Sequence, residues 1–403
     1  MKVILDWLKR PKATWLAGEP IFKLLGKRRN SSKVIDISKI NRILILRLDN
    51  IGDVVMMTPF FRELRGLFPH AHITLLVRPV AYNLVELCPY VDKVLAFDHK
   101  KGRRIFALKF AIKYLFKRSF DMVINPRWDV DYYYTGFLGY FSGAPLRVGY
   151  SENVNNHKKR FSRGSDILLT HVLENTEIKH EVERSLDLIR FLGGAIKNNR
   201  LELWLGEEDE AFASNVLNEH GVRSGELIVG LGPSGGNSPL KQWPIDNFIK
   251  LGQFLRDTFK CRFVVFGAPG ETELGEQIKR EIGLSAIDMV GKTTLRQAAA
   301  LMKKCCLYIG NDAGPMHMAA AMDIPLIALF SSSCRHRFSP WGEKANVLSA
   351  EISCNPCMQF DHPNRCNRCS FEKPSCVLKI TVEQVKEAVK ETASFKGWPV
   401  IHE

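Results

Sequence analysis

Short apolar runs alternate with longer helical patterns along most of this chain, and the alternation predicts its elements. Runs near Ile43–Leu48, Ile73–Val77, Val94–Phe97, Met122–Asn125 and Arg147–Tyr150 read as strands, with helical stretches after Asp53, Val80, Arg103 and Asp131. Apolar runs of this length, separated by helices, predict a doubly wound parallel sheet. The polar, basic stretch Ser151 to Thr176 reads as a long surface loop. A helix near Glu177–Leu192 and the stretch Asn198–Leu205 lead into a second unit with the same layout. Its strands are expected at Leu227–Leu231, Phe263–Phe266, Ile287–Val290, Leu307–Ile309 and Leu326–Phe330. A last helix, Val382 to Glu391, can pack on either unit.

Length supports two units, because 403 residues exceed one ordinary core. Charge adds a partner. The net charge is +14, and residues 1 to 33 hold nine Lys or Arg against Asp6 and Glu19, a net +7. Lys100 to Arg118 adds eight basic residues and no acid; Lys109, Lys113 and Lys117 recur on one helical face beside Phe106, Phe110, Ile112, Leu115 and Phe116. This distribution favours an anionic membrane surface or a phosphorylated substrate over nucleic acid. No apolar run approaches the roughly 18 residues of a membrane span. The stretch VILDWL, broken by Asp6, makes a poor signal peptide. A cytoplasmic protein, peripheral on a membrane, is expected, with its ten cysteines reduced or metal-bound.

Three loops carry candidate chemistry. Arg47-Leu48-Asp49-Asn50-Ile51-Gly52-Asp53 ends a strand and puts Asp53 at a helix start, where a carboxylate stays ionised and can take a proton from a hydroxyl. A plain capping aspartate is the alternative. Gly232 to Pro244, GPSGGNSPLKQWP, offers Lys241 to a diphosphate with Ser234 and Ser238 as donors, and Trp243 as a packing residue; no GK[ST] closes it as a Walker loop. Gly267 to Glu271 can set Glu271 against a ribose or simply cap a helix. Finally Gly310 to Pro325, GNDAGPMHMAAAMDIP, lies between two apolar strand runs. Its glycine-containing turn and small-residue helix make an anion site at a sheet edge, framed by Asp312 and His317; a cap and a core histidine are the alternatives.

Together these segments resemble glycosyltransferase family 9, the heptosyltransferases of the lipopolysaccharide inner core. RLDNIGDVVMMTP is similar to the family's first loop, GPSGGNSPLKQWP to its lysine loop, VGKTTLRQAAALMKKCCLYIGNDAGPMHMAAA to its nucleotide site, and SPWGE at Ser339 to Glu343 to its closing motif. The resemblance runs from about residue 42 to 345 and implies an α/β protein of GT-B architecture, two Rossmann-like domains facing a cleft. It divides the chain into a basic arm (1–36), an acceptor-side domain (37–205), a nucleotide-sugar domain (206–380) and a terminal helix and tail (381–403). It implies Asp53 as general base and Lys241 as diphosphate contact. Gly52, Ser234, Ser238, Glu271, Asp312, Ala313, Gly314 and His317 would then line the donor site. Ala313 stands where a Ser or Thr is frequent, which leaves the donor open.

The implied reaction is inverting transfer of a heptose, from ADP-heptose, to a phosphorylated lipid A–core acceptor, whose phosphates would meet Lys158, Lys159 and Arg160. The alternatives are another nucleotide sugar on another surface glycan, or a non-catalytic sugar-nucleotide-binding protein at the membrane. No Asp-x-Asp pair is expected in the cleft loops to carry a donor-bound divalent ion, so catalysis is expected to need no cofactor. Cys354-Asn-Pro-Cys357 and Cys366-Asn-Arg-Cys369, with Cys376 and His362, sit in a loop spanning 351–376 and have the spacing of a structural zinc site; reduced thiols or disulfides in a loop capping the cleft are the alternatives.

Overall fold

The computed structural model describes residues 35–98, 104–236, 238–357, 369 and 375–398. The chain divides into two compact units, Met1–Asn199 and Arg200–Glu403. The first holds one parallel sheet of β1 (Arg42–Arg47), β2 (His72–Val77), β3 (Lys93–Ala96), β4 (Met122–Asn125), β5 (Leu146–Tyr150) and β6 (His171–Leu173), in the order β3-β2-β1-β4-β5-β6. Ile43 to Leu46 are all buried, so both faces of β1 are covered, which is why the run is continuously apolar.

The second unit repeats the plan with β7 (Ile228–Gly232), β8 (Arg262–Val265), β9 (Ala286–Asp288), β10 (Leu307–Asn311), β11 (Leu326–Phe330) and β12 (Ala345–Ser349). Their order, β9-β8-β7-β10-β11-β12, is that of the first sheet. In each sheet the winding reverses between the first and fourth strands, and loops at the carboxyl ends of those strands diverge to leave a binding crevice. The predicted α/β doubly wound class holds in both units. The terminal helix, Val382–Lys396, belongs to the second: Val385, Val389 and Trp398 enter its core, and the fully buried Trp243 donates its indole N–H to the Ile380 carbonyl at 2.7 Å.

Two expectations need correction. Ser151 to Thr176 is no featureless loop: it holds a helix at Asn156–Phe161, two shorter turns and the whole of β6. The basic face around Lys109 is also interrupted. The helix Arg104–Phe110 passes into a π-helical turn at Ala111–Leu115, whose wider winding shifts the register, so that Ile112 and Phe116 are 50% and 59% exposed beside Lys113 and Lys117.

Candidate active site

In the second unit, the loops at the switch point meet through charge. Lys241, in the turn Pro239–Lys241 after β7, places Nζ 2.8 Å from Oδ2 of Asp312, which follows β10. Asp312 is nearly buried, and the Ser333 hydroxyl donates to the same oxygen. Asp312 is therefore not a helix cap. That position belongs to Ala313, which offers no side-chain acceptor to the first N–H groups of the helix Gly314–Ala321. An N-terminus of this kind, with a lysine beside it, is suited to a diphosphate.

The lysine loop is pinned from the neighbouring strands. Buried Asn311 accepts the Trp243 backbone N–H at 3.1 Å and donates to the Pro233 carbonyl at 2.8 Å. The Ser331 hydroxyl donates to the Leu240 carbonyl at 2.9 Å. Close approach explains Gly232: a Cβ there would overlap the Tyr308 hydroxyl. Ser234 donates to Glu271 Oε1 at 2.6 Å and accepts the Gly236 N–H, while Glu271 Oε2 accepts the Ala268 N–H at 2.8 Å. Glu271 thus does cap its turn, and the Ser234 contact also ties it to the lysine loop. Ser238 is half-buried and gives its carbonyl to the Lys241 N–H; His317 lies buried on the helix after Gly314.

The first unit has a similar arrangement at its own switch point. Asp53 sits in the helix Ile51–Val55, next to buried Gly52, and accepts the Asn50 N–H at 3.1 Å. Its side chain keeps 24% of its surface exposed, enough to meet a substrate, and lies 4.0 Å from Arg47 Nη2. Arg47 also donates to the Asp53 carbonyl at 3.0 Å and pairs with buried Asp49 at 3.1 Å. Arg127, two residues past β4, pairs with the other oxygen of Asp49. Asn50 is held in turn by Arg78 at 3.0 Å. Arg127, Arg78, Asn311 and Ser333 were not singled out from the sequence. Asn311 closes β10 inside the Gly310–Pro325 motif, and for Arg127, Arg78 and Ser333 the one available signal is a place shortly after a strand.

Lys158 requires a correction. It is buried, and its ammonium donates to the Tyr150 and Arg127 carbonyls at 2.8 and 3.2 Å, so an acceptor phosphate cannot be its ordinary partner. Lys159 and Arg160 are exposed. Burial pushes the Lys158 pKa down to about 8, although Asp166, Asp129 and Asp131 oppose the shift. The folded value lies below the unfolded 10.5, so the folded protein sheds this proton first. Stability contributed by Lys158 is therefore expected to rise as pH goes from about 8 to 10.5, opposite to a paired surface lysine. Urea midpoints of wild type and Lys158→Met across that interval check it: the difference should move in favour of the wild type, and a flat difference would contradict the assignment.

One expectation is corrected by the loop after β4, which does hold an Asp-x-Asp pair, Asp129-Val130-Asp131. Here Asp131 caps a turn, accepting the Tyr133 and Gly136 N–H groups at 2.9 and 2.8 Å, and Asp129 lies 3.3 Å from His157 Nδ1. In the cysteine segment, burial first, with the nearby Cys369 and Cys354 adding to it, pushes the Cys376 thiol up. Among the described residues no three His, Cys, Asp or Glu side chains are grouped to hold a metal; Cys366 and His362 lie outside the described residues.

Two sites of this construction at two switch points are what the resemblance implied, and comparison decides the family. The sequence profile of glycosyltransferase family 9 (heptosyltransferase) matches residues 110–367. The chain belongs to that family, and it is a glycosyltransferase. It is 24% identical over 326 residues to lipopolysaccharide heptosyltransferase 2 of Escherichia coli K12, covering 76% of this chain and 87% of that protein. Lipooligosaccharide heptosyltransferase 2 of Campylobacter jejuni is 30% identical over 177 residues; the match covers 42% of this chain and about half, 54%, of that relative. The solved Escherichia coli ADP-heptose lps heptosyltransferase II shares the fold with a TM-score of 0.67 at 21% identity, over 88% of this chain and 99% of that one. The family 9 chain is accordingly of the GT-B class.

Proposed function

We propose that this enzyme moves a heptose from ADP-heptose to a phosphorylated inner-core acceptor of lipopolysaccharide, with inversion at the anomeric carbon. The observation that carries the donor half is the Lys241–Asp312 pair beside the Ala313-capped helix start, a ready place for a diphosphate. The relatives' names support heptose as the sugar, and the solved relative's name supports ADP. Asp53 takes the proton of the acceptor hydroxyl as its oxygen bonds to the anomeric carbon. The bond from that carbon to the diphosphate breaks, and Lys241 with the N–H groups after Asp312 stabilises the charge that leaves. Ser234, Ser238 and Glu271 contact the nucleoside diphosphate, Gly314 admits it to the backbone, and His317 borders the pocket. Lys159 and Arg160 meet acceptor phosphates. Calorimetric competition among ADP, UDP and GDP tests the donor half: ADP should bind most tightly, and a preference for UDP or GDP would point to another sugar nucleotide.

The enzyme acts as a peripheral protein at an anionic membrane surface. No helix of the described residues is long and apolar enough to cross a membrane. The arm lies mostly outside the described residues, whereas Ile112, Tyr114 and Phe116 stand exposed among lysines. Electrostatic attraction of about 1 kcal/mol per basic residue near the surface supports binding by the arm. The full chain should float with anionic vesicles at low salt and release at high salt, and a chain starting at Asp36 should bind much less. Equal binding by both would move the anchor to residues 104–118.

We carry a structural zinc as a proposal on the cysteine spacing. Protein purified without added metal should then hold about one zinc per chain. Elemental analysis finding neither zinc nor iron would leave plain thiols.

A further inference from the structure

The Asp53 loop carries more charge than a single general base requires. Arg47 ends β1 and Asp49 lies two residues on, and both are nearly buried, at 5% and 4% exposure. Desolvating such a pair is costly, and packed apolar residues would hold a strand to its loop about as well, so stability alone is a weak reason for it. Its geometry points to control of a neighbour. Asp49 Oδ2 lies 3.1 Å from Arg47 Nη1, while Oδ1 pairs with Arg127. Arg127 is itself fixed after β4, because its Nε donates to the Val130 carbonyl and its backbone N–H to Asn125 Oδ1 at 3.3 Å. From its other edge Arg47 donates to the Asp53 carbonyl, through Nε at 3.3 Å and Nη2 at 3.0 Å. Arg127, Asp49, Arg47 and Asp53 thus form a row of alternating sign that ends on the proposed base. Its last step stays open: Arg47 Nη2 stops 4.0 Å from Asp53 Oδ1, beyond hydrogen-bond distance.

We infer that Asp49 is a positioning residue for transfer, holding Arg47 back from the Asp53 carboxylate. A shift of about 1 Å would let Nη2 close on that carboxylate in a charge-assisted hydrogen bond. A carboxylate closed in this way is a poorer base, because the guanidinium stabilises its ionised form and occupies an oxygen that has to take a proton. Asp49 opposes the shift by engaging Nη1, and Arg127 keeps Asp49 in the row. Arg47 then serves Asp53 through the backbone carbonyl, which sets where the carboxylate stands. The inference rests on the reading of Asp53 as general base and adds to it a residue that acts through Arg47.

Steady-state transfer from ADP-heptose to a heptose-deficient lipopolysaccharide core tests it, in full-chain Asp49→Asn and in Asp49→Asn combined with Arg47→Met. Asp49→Asn should lower kcat about tenfold and leave the KM for donor and acceptor nearly unchanged, since the base is impaired and the binding groups are not. The double variant should be severalfold faster than Asp49→Asn, because the guanidinium that closes on Asp53 is gone while the Asn50 N–H still holds the Asp53 side chain at 3.1 Å. A row that only braces the loop gives the reverse order, the second loss adding to the first. Melting curves report folding, and if Asp49→Asn does not melt in one transition, Asp49→Ser, smaller and uncharged, replaces it in both variants. A wild-type kcat in the single variant, or a double variant as slow as the single one, overturns the inference. Either result beside a slow Asp53→Asn leaves the base reading standing, whereas near-wild-type transfer by Asp53→Asn strikes that reading itself.

Discussion

Asp53→Asn is expected to slow transfer on the order of a hundredfold or more, the scale of a positioned general base, with folding and ADP binding nearly unchanged. The substitution is conservative for the fold. An Asn side-chain oxygen can still accept the Asn50 N–H that Asp53 accepts at 3.1 Å, so the turn into the helix Ile51–Val55 keeps its cap. What is lost is the charge and basicity of the carboxylate beside Arg47. Arg47 does not depend on that carboxylate for its place, because the Asp53 carbonyl and Asp49 also hold it. Transfer within a few-fold of wild type, measured at saturating donor, would remove Asp53 from the chemistry and leave it a cap.

Lys241→Ala should weaken nucleoside diphosphate binding about tenfold or more, for loss of a charge-assisted contact of roughly 1.5–3 kcal/mol. The ion pair adds a second consequence. Asp312 is 4% exposed, and without Lys241 its carboxylate keeps Ser333 but no cation that the structure records, so the same variant should also lose stability. A double variant, Lys241→Ala with Asp312→Asn, separates the effects. Its melting temperature should recover toward wild type while ADP affinity stays low. Recovery of affinity together with stability would mean that Lys241 serves only to neutralise Asp312.

The central strands were legible because parallel strands covered on both faces must be apolar throughout, as Ile43 to Leu46 and Leu326 to Phe330 are. The strands that escaped are the sheet edges β6 and β12. Both are half-buried along their length, and β6 has only three residues, so neither leaves a clear apolar run. The motif loops announced Asp53, Lys241 and Asp312, but not that Lys241 and Asp312 form one ion pair; that follows from the adjacency of β7 and β10, which no local pattern encodes. Lys158 misled for the opposite reason. Its neighbours Lys159 and Arg160 are exposed, and only the Asn155 cap and the position of β5 turn the first lysine of the run inward. Arg127 and Ser333 have no motif at all, and they enter through contacts with Asp49 and Asp312.

The central claim is best tested by a single-turnover incubation of the full chain with ADP-heptose and a heptose-deficient lipopolysaccharide core, with UDP- and GDP-sugars in parallel and EDTA present. The account predicts that one heptose is added from ADP-heptose, that its anomeric configuration is opposite to the donor's, and that Asp53→Asn abolishes the signal on the same timescale. Retention of configuration, or transfer from another nucleotide sugar with none from ADP-heptose, would contradict it.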